Sequence, residues 1–245
     1  LFSAFKKNLT SEIKVAQFTG YVSEHACYHH GEASLNQAIV GLAQNYVGSN
    51  NINLLVPSGQ FGTRLQGGKD SASERYIFTY LNKLTRKIFP QADDQILNYL
   101  LDDSDQVEPQ YYYPIIPMVL VNGTKGIGTG FSTEILCYNP KDIIDYLKNK
   151  LNGFEIDIDF VPFYKNFKGT IEKVQDKKFL FKGKYEKMGT DKIRVTELPI
   201  GHWTQDFKES LESLQETTDK NGKKITPIIK DYDDMSKDTT IDFTI

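Results

Sequence analysis

The chain has 245 residues, of which 39% are hydrophobic, 25% charged and 12% aromatic, so it is long enough for one large or two smaller globular domains and is not typical of a disordered protein. No apolar run approaches the length that spans a bilayer, and two cysteines are too few for a disulfide scaffold, so we expect no membrane partner and reduced thiols. The net charge is −3, but residues 1–90 carry nine Lys and Arg against five Asp and Glu, whereas the rest carries 20 against 27. A basic first third is typical of a polyanion-binding region in an otherwise acidic protein.

The first 56 residues predict helices followed by a strand. Residues 3–47 are mostly helical in pattern, and Ser34 and Gln37 have the spacing of a capping box. An apolar stripe with helical period follows, made of Leu35, Ala38, Ile39, Leu42, Ala43 and Tyr46. The apolar run 53–56 predicts a short buried strand that Pro57 ends.

Residues 57–89 form the stretch around which the sequence is organised. A glycine-rich loop with Arg64 and Lys69 favours an anionic ligand and leads into the pair Arg75-Tyr76, which an alternating run follows. A tyrosine beside an arginine is either an ordinary strand residue or a nucleophile aimed at phosphate. Two helices, a strand, a flexible loop and a second strand make the order of a winged helix, whose second helix enters the DNA major groove.

The middle of the chain predicts a connector, a strand and a glycine-rich tip. Residues 90–113 are acidic and predict a solvated connector, and residues 114–121 are apolar and predict a strand. Four glycines follow, but their order matches neither a P-loop nor a dinucleotide fingerprint. Ile127 lies among them and is either a buried turn residue or an apolar wedge that enters a DNA base step.

The last hundred residues predict a helix, a set of strands and a second helix. Asn139 and Pro140 have the types of an N-cap and a first helical residue. Residues 168–199 alternate as antiparallel strands do, and residues 203–214 carry a helical apolar stripe. Residues 216–238 are polar and predict loops, and 241–245 predict a strand.

A metal site is not predicted. His25, Cys27, His29 and His30 lie close together, but structural zinc needs a second pair of ligands, and Cys137 and His202 are single and distant.

Taken together, these stretches resemble the type IIA DNA topoisomerases, in the eukaryotic topoisomerase II form, over essentially the whole chain. The residues that carry the resemblance include YHHGE at 28–32, VGSNNI at 47–52, FGTR at 61–64, GGKD at 67–70, RY at 75–76, LNKLTRKI at 81–88, GIGTG at 126–130 and TELP at 196–199. The resemblance implies a mixed α+β and α/β fold. It places a winged-helix (helix-turn-helix) domain at residues 1–113 and the start of an α/β tower domain at 114–245.

The resemblance also implies roles for individual residues. Tyr76 is expected to cut DNA and become linked to its 5′-phosphate, Arg75 to steady the scissile phosphate, and His30 to lie near the reaction. Ile127 matches the residue that the family inserts between base pairs. We expect further DNA contacts from His29, Arg64, Lys69, Lys83 and Arg86.

The parent enzyme implied by the resemblance passes one duplex through a transient double-strand break in another, and thereby relaxes, decatenates and unknots DNA. Its expected cofactors are Mg²⁺ and ATP, held by TOPRIM and ATPase domains outside this chain. Its expected partners are double-stranded DNA and the TOPRIM domain of the second protomer of a homodimer in the nucleus. The isolated segment is expected to be inactive. The alternative is a winged-helix DNA-binding module with no chemistry, which Tyr76→Phe would leave functional.

Overall fold

The computed structural model describes residues 1–103, 105–217, 224 and 226–245. The chain divides into two compact units. The first contains Leu1–Asn45, Ser49–Phe61 and Ser71–Phe160, and the second contains Tyr46–Gly48, Gly62–Asp70 and Val161–Ile245. Among the described residues, no helix is both long enough and apolar enough to cross a bilayer.

The first unit begins with three helices, α1 (Phe2–Lys6), α2 (Val15–His25) and α3 (Glu32–Ala43). The mostly helical pattern predicted for residues 3–47 is confirmed, but the predicted capping box is wrong. Helix α3 begins at Glu32, with Gly31 as its N-cap, so Ser34 lies within the first turn. An extended glycine can cap this helix, and the acidic Glu32 complements the positive end of the helix dipole.

A three-stranded antiparallel sheet packs with these helices. It contains β1 (Ile13–Lys14), β2 (Leu55–Ser58) and β3 (Phe78–Leu81), with β3 in the centre. Pro57 lies within β2 and does not end it, contrary to the prediction, because β2 is an edge strand where a missing N–H is tolerated. Apolar side chains from helices and sheet form one buried cluster, which includes Val15, Phe18, Leu35, Ile39, Leu55, Ile77 and Leu81.

Residues 82–121 differ most from the prediction. Helix α4 (Thr85–Ile88) and a 3-10 helix (Gln91–Gln95) precede a hairpin of β4 (Tyr99–Asp102) and β5 (Asp105–Pro109), so the acidic segment is not merely a connector. The strand predicted at 114–121 is also wrong: its second half is helix α5 (Met118–Val121), with Pro117 as N-cap. Prolines lack the N–H that a strand ladder needs. A proline at the start of a helix forfeits no hydrogen bond, because an N–H there would have no partner within the helix.

The first unit ends with a hairpin and a helix. Strands β6 (Thr124–Gly128) and β7 (Phe131–Ile135) form the hairpin, and α6 (Pro140–Leu151) follows. The predicted start of α6 is confirmed, since the Asn139 side chain accepts a hydrogen bond from the backbone N–H of Lys141.

The second unit contains β8 (Thr170–Gln175), β9 (Lys178–Lys182), β10 (Lys184–Lys187), β11 (Ile193–Glu197), α7 (Thr204–Leu214), β12 (Asp233–Asp234) and β13 (Phe243–Thr244). Strands β8 and β9 form a hairpin, and the other four form a sheet in the order β10-β11-β13-β12. The antiparallel strands and the helix predicted from the sequence are confirmed. The core consists of Leu198, Leu211, Ile241 and Phe243. Of the segment predicted as polar loop, residues 218–223 and 225 lie outside the described residues.

Candidate functional site

Arg75 and Tyr76 lie in a turn just before β3, and this turn is fixed to the start of α2. The backbone N–H groups of Val15 and Ala16 donate to the carbonyls of Ile77 and Glu74, at 3.0 and 3.1 Å. The first N–H groups of a helix have no partner within the helix, so this pairing satisfies both elements at once. Because Ile77 is buried in the core, the backbone around Tyr76 is held on both sides.

The side chain of Tyr76 points out from this fixed backbone. It is 71% exposed, whereas its neighbour Ile77 is 1% exposed. The guanidinium of Arg75, which is also exposed, lies 5.7 Å from the centre of the Tyr76 ring. The pair is therefore not in a strand. It presents a phenol and a guanidinium side by side to an external ligand, and a guanidinium can hold two oxygens of one phosphate.

The histidine pair predicted at the site lies in the segment that follows α2. Both rings are exposed. His30 packs edge-to-face with Tyr28 at 5.4 Å between ring centres, and Nε2 of His29 is 3.2 Å from the Asp102 carboxylate. The same carboxylate raises the pKa of the Cys27 thiol, chiefly through a hydrogen bond. Cys27 and both histidines line a groove of about 720 Å³, and its lining also includes Tyr111 and Tyr112.

The two basic residues predicted around α4 have different surroundings. Lys83 is exposed just before the helix. Arg86 makes two hydrogen bonds to the Asp94 carboxylate, at 3.0 and 2.8 Å, and its guanidinium lies 3.5 Å from the centre of the Phe5 ring. This arrangement engages the guanidinium within the protein, so Arg86 is not included among the DNA contacts that we propose.

The loop with Arg64 and Lys69 belongs to the second unit. Arg64 is 5% exposed and forms an ion pair with Glu197, which is 1% exposed. Lys69 is exposed. The sequence motif that suggested two phosphate contacts therefore contains one buried and one accessible cation. Nothing in the local sequence identified Glu197 as the partner, since it lies 133 positions away.

Ile127 lies on β6, opposite Ser132 of β7, and is 92% exposed. Of the two alternatives for this residue, a buried turn position is therefore wrong. Phe131, at the start of β7, is similarly exposed and was missed by the sequence reasoning. The sequence did contain a signal for its exposure, because an aromatic residue that directly follows a glycine-rich tip has few nearby side chains to pack against.

A lysine-rich region of the second unit was also missed. Residues 161–192 contain nine lysines against four Asp and Glu, although the C-terminal two thirds of the chain is acidic overall. Several lysines lie on or beside exposed strands, namely Lys173, Lys178, Lys182, Lys184, Lys187 and Lys192. Lys182 is paired with Glu172 at 2.7 Å. A charge count over shorter windows would have revealed this region.

The described residues do not fit a resident metal ion, since they contain no group of three or more His, Cys, Asp or Glu side chains that could hold one.

Comparison with known proteins identifies the class. The family of DNA gyrase/topoisomerase IV A subunits matches residues 1–245. DNA topoisomerase 2 top-2 of Caenorhabditis elegans is 51% identical over the whole chain, and DNA topoisomerase 2-alpha of Cricetulus griseus is 50% identical. The chain spans 16% of the length of each.

A solved structure agrees with these sequence matches. The crystal structure of the Plasmodium falciparum topoisomerase II DNA-binding, cleavage and re-ligation domain superposes with a TM-score of 0.93 at 51% identity. The match covers 99% of this chain and 32% of that chain. The fold is thus the mixed α/β fold of a topoisomerase II cleavage core. The chain belongs to the family of DNA gyrase/topoisomerase IV A subunits and is a segment of a type II DNA topoisomerase.

Proposed function

We propose that this chain is the segment of its parent enzyme that cuts and bends DNA, with Tyr76 as the nucleophile. The observation that carries the proposal is the turn at residues 74–76, whose backbone is fixed to α2 while the Tyr76 phenol and the Arg75 guanidinium are exposed together. The parent enzyme then passes a second duplex through the break and relaxes, decatenates and unknots DNA, as the kinship to DNA topoisomerases 2 supports.

The chemistry is a transesterification. The Tyr76 phenolic oxygen attacks a backbone phosphorus, a new O–P bond forms, and the bond from phosphorus to the deoxyribose 3′ oxygen breaks. The phenolic proton is transferred, directly or through solvent, to the departing 3′ oxygen. Arg75 holds the non-bridging oxygens and balances the charge that gathers on them. One phosphodiester replaces another, so resealing by the reverse step needs no external energy. His30 is proposed to donate a hydrogen bond near the same phosphate.

We assign the architecture by the same kinship. The helices α1–α3 and the sheet β1-β3-β2 supply the parts of a winged-helix domain, which we place at residues 1–113, with the tower domain starting at 114. Lys69, Lys83 and His29 are proposed to contact the DNA backbone. Ile127 enters a base step and kinks the duplex, at a cost of about a few kcal/mol that phosphate contacts offset.

Metal and nucleotide belong to other parts of the parent enzyme in this proposal. The described residues offer no metal-ligand cluster, and no step above is routed through a metal ion. We propose that Mg²⁺ is held by the TOPRIM domain of a second protomer in a homodimer, that ATP drives strand passage from an ATPase domain, and that the enzyme works in the nucleus.

The test uses the full-length protein, supercoiled double-stranded DNA and Mg²⁺, with detergent to trap covalent complexes and mass spectrometry to map them. An adduct at Tyr76 that disappears in Tyr76→Phe is the expected result. Tyr113→Phe is the matched control, because Tyr113 is 65% exposed and lies in the same unit. DNA binding without any adduct in the wild-type protein would instead favour the DNA-binding module without chemistry.

A further inference from the structure

The loop Gly62–Asp70 is closed by its own hydrogen bonds, yet its cation at position 69 remains exposed. Thr63 donates to the Asp70 carboxylate from both its backbone N–H (2.9 Å) and its hydroxyl (2.5 Å). The Thr63 carbonyl in turn accepts from the N–H of Gly68 at 2.8 Å. Both neighbours of Lys69 are therefore bound to one residue.

Arg64 ties this closed loop to the junction between β11 and α7. Its guanidinium pairs with Glu197, and its carbonyl accepts hydrogen bonds from the backbone N–H and hydroxyl of Thr204, at 3.3 and 3.4 Å. Glu197 is held in turn by the backbone N–H groups of Lys168 and Leu198, at 3.1 and 3.0 Å. Each buried charge therefore has a defined geometry.

Two positions in this loop require glycine. Gly67 has φ +61°, and a Cβ there would lie 2.3 Å from Nε1 of Trp203. Gly62 has φ +94°, and a Cβ there would lie 2.5 Å from the Gly68 carbonyl oxygen. The loop is thus built for one conformation, which is the opposite of a flexible wing that adapts to its ligand.

A buried ion pair is weak support for stability, because apolar residues of similar volume are often as good or better, but in some proteins such a pair fixes one arrangement of the chain. The Arg64 charge is neutralised by Glu197, and Asp70 is bound to Thr63, so Lys69 is the cation that this loop offers to solvent. Because this loop is already rigid, less conformational entropy is lost when its lysine becomes fixed on a phosphate.

We propose that Arg64 and Glu197 form a positioning pair, which holds Gly62–Asp70 so that the Lys69 ammonium meets the phosphate backbone of double-stranded DNA, and that Arg64 itself does not touch DNA. The inference rests on the proposed function and assigns a role to Glu197, which the sequence did not suggest. The influence of Glu197 on the position of Lys69 is transmitted through successive contacts, from Glu197 to Arg64 and then through Thr63 and Asp70 to Lys69.

The test is a double-mutant cycle in the full-length protein, with binding to a short duplex measured across a range of salt concentrations. Lys69→Ala should lower the slope of log affinity against log salt by about 0.9, the value for one phosphate contact per site. Between 50 and 200 mM salt this corresponds to a change of about threefold in the salt effect. Glu197→Gln should lower the affinity for the duplex about as much as Lys69→Ala does. It should have no further effect on affinity once Lys69 is alanine.

A positioning role and a direct DNA contact of Arg64 predict opposite effects of Glu197→Gln on DNA affinity. If Arg64 were itself a DNA contact, Glu197→Gln would release its guanidinium and strengthen binding. A stronger complex, or an equal loss in the Lys69→Ala background, would overturn the proposal. Glu209→Gln is the matched control, because it removes the same charge from an exposed position of α7 in the same unit.

Two further measurements distinguish loss of positioning from unfolding, and failure of the positioning role from failure of the proposed function. If Glu197→Gln lowers the melting temperature enough to unfold the protein, Thr63→Val tests the other side of the loop, with the same expected dependence on Lys69. The covalent adduct at Tyr76 is recorded for every variant. A wild-type protein without an adduct contradicts the proposed function, whereas an intact adduct with no dependence of Glu197 on Lys69 contradicts only the positioning role.

Discussion

In the proposed reaction Tyr76 and Arg75 act as a pair, and the geometry predicts that the arginine cannot be replaced by another cation. A guanidinium presents a planar fork that matches two phosphate oxygens, whereas an ammonium acts as a point charge. Losing one charge-assisted hydrogen bond costs about 1.5–3 kcal/mol, so Arg75→Lys should form the covalent adduct roughly tenfold more slowly or worse. A rapid-quench time course measures this rate. Arg75→Lys with wild-type kinetics would remove Arg75 from the reaction.

Asn51 shows how one buried side chain joins distant parts of the first unit. It is 5% exposed, and its amide donates to the carbonyls of Val121 and Tyr138, at 2.9 and 3.2 Å. Asn51→Leu would bury both carbonyls without this donor, which should lower the free energy of unfolding by about 1–3 kcal/mol. Chemical denaturation measures the loss. Asn149→Ala, at a half-buried position of α6 whose amide makes a solvent-exposed hydrogen bond to the Asp145 carbonyl, should change the free energy by no more than about 0.5 kcal/mol, and an equal loss in both variants would refute the argument.

At the scale of elements, the hairpin β6–β7 allows the proposed role in DNA bending to be tested separately from folding. Ile127 buries almost nothing in the free protein, so Ile127→Ala should change the free energy of unfolding by no more than about 0.5 kcal/mol. If Ile127 has the proposed role, Ile127→Ala in the full-length protein should nevertheless reduce the bend of a bound duplex, because the apolar wedge that opens the base step would be gone. Energy transfer between dyes at the ends of the duplex measures the bend.

The matched control for the hairpin is Val174→Ala. Val174 is a half-exposed aliphatic residue near the end of β8, in another two-stranded hairpin. Bending that survives Ile127→Ala, or that is lost equally in Val174→Ala, would show that Ile127 is an exposed residue without this role.

Several elements with local signals were predicted correctly, although the capping box at Ser34 and Gln37 was not, and features set by distant contacts were beyond prediction. Asn139 and Pro140 start α6 because cap and first turn are neighbours in sequence, and the alternation at 168–199 gave strands for the same reason. The apolar run 114–121 has the composition of a strand, but its prolines prevent one and α5 forms instead. The burial of Arg64 depends on Glu197, 133 positions away, which no local pattern could reveal.

The candidate site follows the same rule. The Arg75-Tyr76 pair is local, so the sequence singled it out as a candidate, and the family resemblance supplied its proposed role. Its placement in a turn depends on the carbonyls of Glu74 and Ile77 pairing with N–H groups at the start of α2, some 60 residues earlier in the chain. Which cations remain accessible was beyond the sequence, because accessibility depends on partners such as Asp94 for Arg86.

At the scale of the whole molecule, two units with separate cores can lose stability separately. A change of pH should destabilise the second unit through one of its ion pairs. In the second unit Arg194 of β11 makes hydrogen bonds of 2.7 and 2.6 Å to the Asp242 carboxylate. The hydrogen bond from Arg194 lowers the pKa of Asp242 from its usual value of 3.8, against a smaller opposing effect of desolvation.

The sign of the pH effect follows from this direction. A carboxyl group whose pKa is lower in the folded than in the unfolded state binds fewer protons when folded, so it stabilises the fold above the unfolded pKa. That contribution is lost as the pH falls from 3.8 through the lower pKa of the folded state. Amide exchange in β11 and β13 should therefore accelerate over this range, and Asp242→Asn should remove that part of the pH dependence. Because Arg194 is exposed and Asp242 is only half-buried, high salt should weaken the effect in the wild-type protein. An identical pH profile for wild type and Asp242→Asn would mean that the ion pair does not stabilise the second unit.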